Sequence, residues 1–191
     1  MVTSKDSLKL RGTGVLALPA FIQSKFPDRF GEWLDSLPRE SADIHRSRLL
    51  AFELYSVRDA LIVPTEKMCE LFYGGDEIGA WESGHFSASY ALNGIYKVFF
   101  RFGKPQFIID RASRVFSTYY SEGALRVAES SSNRCVLRLE NFPEAYRVVE
   151  MNIGGWAKGA LELMGKNDIT VDLTRRGTKG DPLTEYVVKW K

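Results

Sequence analysis

The sequence contains few cysteines and histidines, two residue types that are common in catalytic and metal sites. It has two cysteines, Cys69 and Cys135, and two histidines, His45 and His85, in 191 residues. Cysteines this far apart form neither a disulfide framework nor the paired spacing of a zinc site. No serine or cysteine lies in a recognisable nucleophile motif, and no His–Asp spacing suggests a catalytic triad. We therefore expect a protein that is not an enzyme, has no metal site and lies in a reducing cytoplasm.

Long hydrophobic runs and an excess of charge of one sign are also missing. No apolar run approaches the length of a membrane span, and the polar start MVTSKDSLKLRG has no hydrophobic signal core. The net charge of +2 is too small to indicate nucleic-acid binding by itself. Hydrophobic residues make up 45% of the chain, which is ordinary for a globular protein. We expect one domain over 1–191, with residues 1–12 flexible.

The apolar residues up to about residue 120 recur every three or four positions, which is typical of helices. The predicted helices cover about 14–25, a short segment DRFGEWLDSLP, 64–73, 85–103, and a stretch beginning near Pro105. Pro19 predicts a kink in the first helix or a late start. The stretch 43–63 is ambiguous: its first half could be helical, and LIV before Pro64 reads as extended because the residue before proline avoids the α region.

After Gly123 the period of the apolar pattern changes to two. ALRVAE and RCVLRLE, joined by SSSN, predict an antiparallel hairpin. DITVDLTR and TEYVVKW predict a second hairpin, with RGTKGDP as its loop. Helices that precede two antiparallel hairpins indicate an α+β fold, in which a helical N-terminal body packs with a small antiparallel sheet.

A long helix predicted over 142–165 separates the two hairpins. Its apolar stripe consists of Phe142, Tyr146, Val149, Ile153, Trp156, Ala160 and Leu163. Pro143 suits the first turn, and Gly165 can end the helix. Gly155 and Gly159 lie beside the stripe and would let another backbone come close. Such a stripe needs a partner surface, either in the same chain or in a second copy, and we expect a homodimer formed through this helix and its neighbours.

Several motifs resemble known families. GWAKGALELMG and KGDPLTEYVVKW resemble the vinyl-reductase-type domain and the small core subunits of the TRAPP vesicle-tethering complex. LRGTGVLALPAFIQSKFPDRF resembles the start of the haem-NO-binding (H-NOX) domain. GHFSASYALNGIYKVFFRFGKPQFIIDRASRVFSTYY is similar to an uncharacterised bacterial family abundant in myxobacteria. These groups share the NO-signalling and Golgi-transport ligand-binding fold, so the resemblance implies a helical body on a small sheet that often holds an apolar ligand or prosthetic group.

The residues that bind cofactors in these families are absent from the matching positions. The resemblance places Arg176 and Thr184 where many vinyl-reductase-type domains have metal-binding cysteines. It places about Ser113 where H-NOX domains have the iron-ligating histidine, and Tyr146–Glu150 where they have the Tyr-x-Ser-x-Arg element. Gly103-Lys104 stands where TRAPP subunits can carry an acylated cysteine. We therefore expect no haem, no zinc and no acyl anchor.

The aromatic residues of the middle segment are the main candidates for a ligand site. They could line a pocket for an apolar molecule, as in the relatives, or they could form a solidly packed core. The candidate pocket residues are Phe86, Tyr90, Tyr96, Phe99, Phe100, Phe107, Phe116, Tyr119 and Trp156. The basic residues among them are interpreted as solvated helix faces.

These observations favour a non-catalytic ligand-binding or protein-interaction domain in bacterial signalling, with a small apolar molecule or a protein as its partner. The alternative is an enzyme or cofactor-carrying domain of the vinyl-reductase or haem-binding type. That alternative is disfavoured because the metal and haem ligands are missing.

Overall fold

The computed structural model describes residues 8–91, 109, 112–143 and 146–191. The helices are α1 (Gly12–Val15), α2 (Ala17–Lys25), α3 (Phe30–Ser36), α4 (Arg39–Arg46), α5 (Val63–Tyr73), α6 (Ile78–Ala91), α7 (Ala112–Tyr119) and α8 (Arg147–Leu163). The strands are β1 (Lys9–Arg11), β2 (Leu54–Ser56), β3 (Ala124–Ser130), β4 (Arg134–Glu140), β5 (Thr170–Arg175) and β6 (Thr184–Lys189). Two short 3-10 turns lie at Pro27–Arg29 and Gly177–Lys179, and a π-helix covers Arg58–Ile62.

The strands form two antiparallel sheets. β1 pairs with β2, and a second sheet has the order β3-β4-β6-β5. The predicted hairpins are therefore confirmed, and they join edge to edge because β4 pairs with β6, with Leu137 opposite Tyr186. Helices α1–α7 precede the two predicted hairpins and α8 lies between them, so the predicted α+β class is confirmed. Within the described ranges, no helix is both long enough and apolar enough to span a bilayer.

The N-terminal segment differs from the prediction in its described part. Residues 8–12, which we expected to be flexible, include strand β1, with Leu10 opposite Tyr55 of β2. Leu8 and Leu10 are buried in the core. A polar composition misled the prediction here, because two leucines are enough to anchor a short strand when a distant segment pairs with it.

The ambiguous stretch 43–63 contains the end of α4, strand β2 and the π-helix. The expectation that LIV before Pro64 is extended is wrong, because Val63 is helical with φ −58° and ψ −45°. Pro64 has no N–H to donate to the carbonyl of Ala60, four residues earlier. Here His45 Nε2 donates to that carbonyl at 3.1 Å, and the helix widens to a π register in which Val63 N bonds to Arg58 O.

Two helix starts differ from the sequence prediction. α6 begins at Ile78 rather than at residue 85, and Asp76 Oδ1 accepts a hydrogen bond from Ile78 N at 2.8 Å. α8 begins at Arg147 rather than at Phe142, whose ring instead packs against Tyr120 at 5.5 Å between ring centroids. The predicted end of α8 is confirmed, since Gly165 follows the helix with a left-handed φ of 75°.

α8 finds its partner surface within the same chain, in α6. A Cβ on Gly155 would overlap Trp81 O, and a Cβ on Gly84 would overlap Asn152 O. At Gly159 a Cβ would lie 2.7 Å from His85 O. The two backbones thus approach as closely as glycine permits, which confirms the role predicted for Gly155 and Gly159.

Candidate functional site

A cavity of about 90 Å³ lies between the N-terminal helices, α6, α7, α8 and strand β3. We call it the central cavity. Most of its wall is apolar. The described residues that line it are Leu10, Thr13, Gly14, Ala17, Leu18, Leu61, Ser83, Ser87, Val115, Phe116, Tyr119, Tyr120, Leu125, Asn152, Ile153 and Trp156. Such a lining suits a small molecule that is largely apolar.

One wall of the central cavity is polar and comes from the crossing of α6 and α8. Asn152 Nδ2 donates to Ser83 Oγ at 3.1 Å, and Ser83 Oγ donates to Ala80 O at 3.0 Å. Ser87 Oγ donates to Gly84 O at 2.7 Å. The described residues supply no donor to Asn152 Oδ1, so this oxygen can accept a hydrogen bond from a ligand.

The opposite wall is aromatic. Phe116 and Tyr120 stack with their ring centroids 4.7 Å apart and their planes at 19°. Burial raises the pKa of Tyr120 above its ordinary value of 10.0, so the phenol stays protonated at neutral pH. Gly14 lies on the facing helix, where a Cβ would come within 3.1 Å of the Tyr119 ring. Helix α1 therefore sits close against this wall.

The structure brings together three of the nine candidate pocket residues. Phe116, Tyr119 and Trp156 line the central cavity. Phe86 and Tyr90 do not line it but stack on each other at 5.9 Å. The remaining four candidates, Tyr96, Phe99, Phe100 and Phe107, lie outside the described residues.

Sequence reasoning missed most of the cavity lining. Leu10, Leu61 and Leu125 come from three distant segments, and Ser83 with Asn152 comes from the helix crossing. None of them stands out by composition or spacing. The one sequence feature that could have indicated Ser83 and Asn152 was Gly155. A glycine beside the apolar stripe of a helix marks the place where a second helix comes close.

Neither histidine of the chain lines the central cavity. His45 packs against Trp33, with ring centroids 5.1 Å apart, and burial lowers its pKa to about 4. His85 projects from α6 to Glu162 of α8, where Nε2 and Oε2 are 2.5 Å apart. Both cysteines are buried elsewhere, and burial raises the pKa of each thiol to about 11.

The described lining of the central cavity lacks most of the side chains that serve as ligands of haem iron. Haem iron takes a histidine, thiolate, methionine or tyrosinate ligand, and the described lining contains no histidine, cysteine or methionine. Tyr119 and Tyr120 do line the cavity. Ser113, the position that the resemblance aligns with the H-NOX histidine, donates its hydroxyl to Leu125 O at 2.5 Å and does not line the cavity. Within the described ranges, no three His, Cys, Asp or Glu side chains are grouped to hold a metal ion.

Arg176 and Thr184 occupy the positions that the vinyl-reductase resemblance aligned with metal-binding cysteines. In the structure their side chains bind the buried carboxylate of Glu150. Arg176 Nε donates to Glu150 Oε2 at 2.8 Å, and Thr184 Oγ1 donates to Glu150 Oε1 at 2.7 Å. Thr178 Oγ1 also donates to Glu150, at 2.6 Å. Arg176 further pairs with Glu77 at 3.4 Å, which also contacts Arg147. We call these residues the carboxylate cluster.

Glu150 is charged although it is only 1% exposed. Burial by itself raises the pKa of its carboxyl, but the hydrogen bonds from Thr178, Thr184 and Arg176 more than compensate, so the pKa lies below its ordinary value of 4.5. The cluster ties the first turns of α8 to the loop between β5 and β6. Its acceptor groups are satisfied within the chain, which indicates a structural role.

No protein-family model and no curated protein matches the sequence. Solved structures do match. An H-NOX protein from S. oneidensis in the Fe(II)NO ligation state superposes with a TM-score of 0.73 at 11% identity, covering 95% of this chain and 99% of that one. Unliganded Fe(II) H-NOX from K. algicida gives 0.70 at 9% identity over 95% and 97%. A mutant of T. Tengcongensis H-NOX gives 0.67 at 12% identity over 95% and 98%. At this identity the match concerns the fold, and the chain has the fold of H-NOX domains over nearly its whole length.

Proposed function

We propose that this protein is a non-catalytic sensor domain that binds a small, mostly apolar molecule in the central cavity. The observation that carries the proposal is the cavity itself, which lies between several elements and is lined mainly by apolar side chains with one polar wall. The fold adds support, because solved structures with this fold include domains with ligands on iron. Within the described ranges, the charged side chains inside the protein are engaged in the carboxylate cluster rather than placed for catalysis.

The size of the central cavity limits the ligand. At about 90 Å³ it is smaller than the engineered apolar cavity of about 150 Å³ that binds benzene or xenon. A molecule of a few heavy atoms fits this space. The polar wall favours one hydrogen-bond donor in that molecule, placed to reach Asn152 Oδ1.

The test is an amide-NMR titration of the full chain with xenon and, separately, with 1-propanol. We expect shifts confined to the lining segments, residues 10–18, 83–87, 115–125 and 152–156 with Leu61. Val115→Phe fills the cavity and should abolish these shifts, at a stability cost of about 1–3 kcal/mol. Val171→Phe makes the same change on β5, away from the cavity, and should leave them intact. Unchanged spectra of the natural protein, or equal shifts in Val115→Phe, would contradict the proposal.

We further propose that the domain works without haem, although its fold neighbours include haem-binding proteins. The placement of His45 and His85 away from the central cavity supports this. Addition of haem to the purified protein should produce no Soret band shift beyond that of free haem. A stable six- or five-coordinate spectrum at one haem per chain would contradict it and would revive the cofactor-carrying alternative.

Bacterial signalling, a cytoplasmic location, homodimerisation, and kinship with vinyl-reductase-type and TRAPP domains remain predictions. The prediction that the α8 stripe forms the dimer surface is wrong, because Val149, Ile153 and Ala160 of this stripe are buried within the chain. A dimer would therefore use another surface. Light scattering of the natural protein over a range of concentrations tests self-association directly. A protein that stays monomeric at all concentrations would contradict the dimer prediction.

A further inference from the structure

Residues 50–54, between α4 and β2, present a group of large apolar side chains to solvent. Leu50, Phe52 and Leu54 are all exposed, and Phe52 is 83% exposed. In the part of the chain that the structure describes, the other large apolar side chains that are exposed, Ile78 and Tyr90, both belong to α6. A single exposed apolar residue is ordinary, but three within five residues indicate a surface that contacts something else. We call residues 50–54 the apolar turn.

The backbone of the apolar turn is fixed by hydrogen bonds. Glu53 N donates to Leu50 O at 3.2 Å, and Gly12 N donates to Glu53 O at 2.8 Å. Leu50 N donates to Tyr55 Oη at 2.9 Å. Both backbone groups of Leu50 and of Glu53 are therefore satisfied within the chain. They can move from water into an apolar environment without losing their partners.

Two cations lie beside the apolar turn. Arg11 is directly opposite Leu54 in the β1–β2 ladder, so their side chains share one face of this sheet. Arg48 is exposed and lies two residues before Leu50. Arg11 Nε donates to the carbonyl of Thr118 at 3.0 Å. Among the described residues, no carboxylate lies within ion-pair distance of either arginine, so both charges can attract an external anion.

The acidic residues nearby do not cancel these two charges. Glu53 is the one acidic residue of the apolar turn, and its carboxylate accepts a hydrogen bond from Tyr55 Oη at 3.2 Å. A neighbouring polar pocket is balanced in charge, since its charged lining residues are Lys9, Arg58, Glu40 and Asp59. The apolar turn with Arg11 and Arg48 therefore carries a small positive excess.

We propose that the apolar turn docks on the surface of an anionic lipid bilayer. Leu50, Phe52 and Leu54 enter the interfacial layer, while Arg11 and Arg48 pair with lipid phosphates. The shape favours lipid over a protein partner, because a side chain as exposed as Phe52 needs a preformed pocket in a protein but none in a fluid bilayer. The contact is peripheral, and it uses no residue of the central cavity.

The test is co-sedimentation of the full chain with vesicles of phosphatidylcholine alone or with about 30% phosphatidylglycerol. We expect binding to the anionic vesicles that weakens as salt rises from about 0.1 to about 0.5 M. Phe52→Ser should weaken this binding roughly tenfold, because it removes the largest inserted side chain. Its melting temperature should stay unchanged, since Phe52 makes few contacts in the fold.

Two pairs of variants separate the apolar turn from general surface effects. Leu50 and Ile78 are each 43% exposed, so Leu50→Ser should weaken binding and Ile78→Ser should not. Arg48→Gln should weaken binding roughly fivefold. Lys179→Gln removes an exposed cation from the loop between β5 and β6 and should leave binding unchanged.

Three results would overturn the proposal. The first is a protein that does not sediment with anionic vesicles, or sediments equally with neutral ones. The second is equal weakening in Leu50→Ser and Ile78→Ser, or in Arg48→Gln and Lys179→Gln. The third is a dimer in light scattering that Phe52→Ser converts to a monomer while vesicles bind neither form, which would show that a second copy covers the turn.

Discussion

Glu150 and Asn152 lie two residues apart on α8, yet their side-chain oxygens differ in the hydrogen bonds that they receive. The carboxylate of Glu150 receives hydrogen bonds from Arg176, Thr178 and Thr184. The amide oxygen of Asn152 receives none from the described residues, and Asn152 lines the central cavity. The acceptors of Glu150 are satisfied by donors of the same chain. Asn152 keeps an oxygen that can accept a hydrogen bond, beside a cavity of about 90 Å³.

This difference separates structural polar groups from candidate binding groups. A buried charge is tolerated only when its partners are fixed, so the carboxylate cluster must be rigid for the fold to exist. An unfilled apolar cavity loses packing energy, so a domain that retains one tolerates a cost that a bound molecule would offset.

The largest effect is expected at the saturated site. Glu150→Gln removes the charge that Arg176 faces and should destabilise the protein by about 3–5 kcal/mol, measured by urea unfolding. Glu129→Gln breaks the exposed pair with Arg134 and should cost at most about 1 kcal/mol. Equal losses in the two variants would show that the carboxylate cluster is not structural.

His45 is a half-satisfied interior group and should make stability depend on pH. Its pKa is about 4 in the fold and 6.5 in its absence, so between these values the unfolded chain binds a proton that the folded chain does not. The free energy of unfolding is therefore not reduced by His45 titration above pH 6.5. It falls by up to about 3 kcal/mol as the pH drops towards 4.

The measurement for His45 is a series of urea unfolding curves for the natural protein and for His45→Gln. The glutamine can still donate to Ala60 O but does not titrate, so the difference between the two profiles should shrink below pH 6.5. Parallel profiles over that range would contradict the assignment.

Gly155→Ala tests the crossing on which both regions of α8 depend. The added Cβ would overlap Trp81 O, which is backbone and cannot move alone, so we expect a loss of about 1–3 kcal/mol or more. Gly31→Ala makes the same change in a helix with nothing within 4 Å and should stabilise by about 0.4–1 kcal/mol. Thermal unfolding of both variants gives the comparison, and a neutral Gly155→Ala would mean that the crossing is looser than the structure shows.

The smallest effect on stability is expected at Asn152, whose amide oxygen accepts no hydrogen bond from the described residues. Asn152→Ala loses one hydrogen bond to Ser83, a change of about 1 kcal/mol, and should weaken 1-propanol binding more than xenon binding. Xenon has no donor and therefore serves as the internal control. Equal weakening for both probes would show that Asn152 does not contact the ligand.

The sequence predicted the elements better than their ends. The two hairpins and the long helix follow from local periodicity, because neighbouring residues alone decide which faces are apolar. The start of α8 was placed too early, since Phe142 fits the helical stripe but packs against Tyr120 of another segment. Helical geometry before Pro64 was missed for a similar reason, because the compensating donor is His45, on another helix.

The candidate site was predicted in part. Phe116, Tyr119 and Trp156 were chosen as aromatic residues of apolar helices, and they do line the central cavity. Ser83 and Asn152 could not have been chosen, because their pairing depends on the angle and distance at which α6 crosses α8.

The sequence by itself determined the α+β class, the order of hairpins and long helix, and the scarcity of histidine and cysteine. Only the tertiary structure decided which interior polar groups are satisfied. Glu150 finds its donors 26 to 34 residues away, whereas the buried hydroxyl of Ser41, on α4, has no partner among the described residues. Periodicity is a property of neighbours along the chain, but a hydrogen bond needs two groups that only packing brings to within about 3 Å.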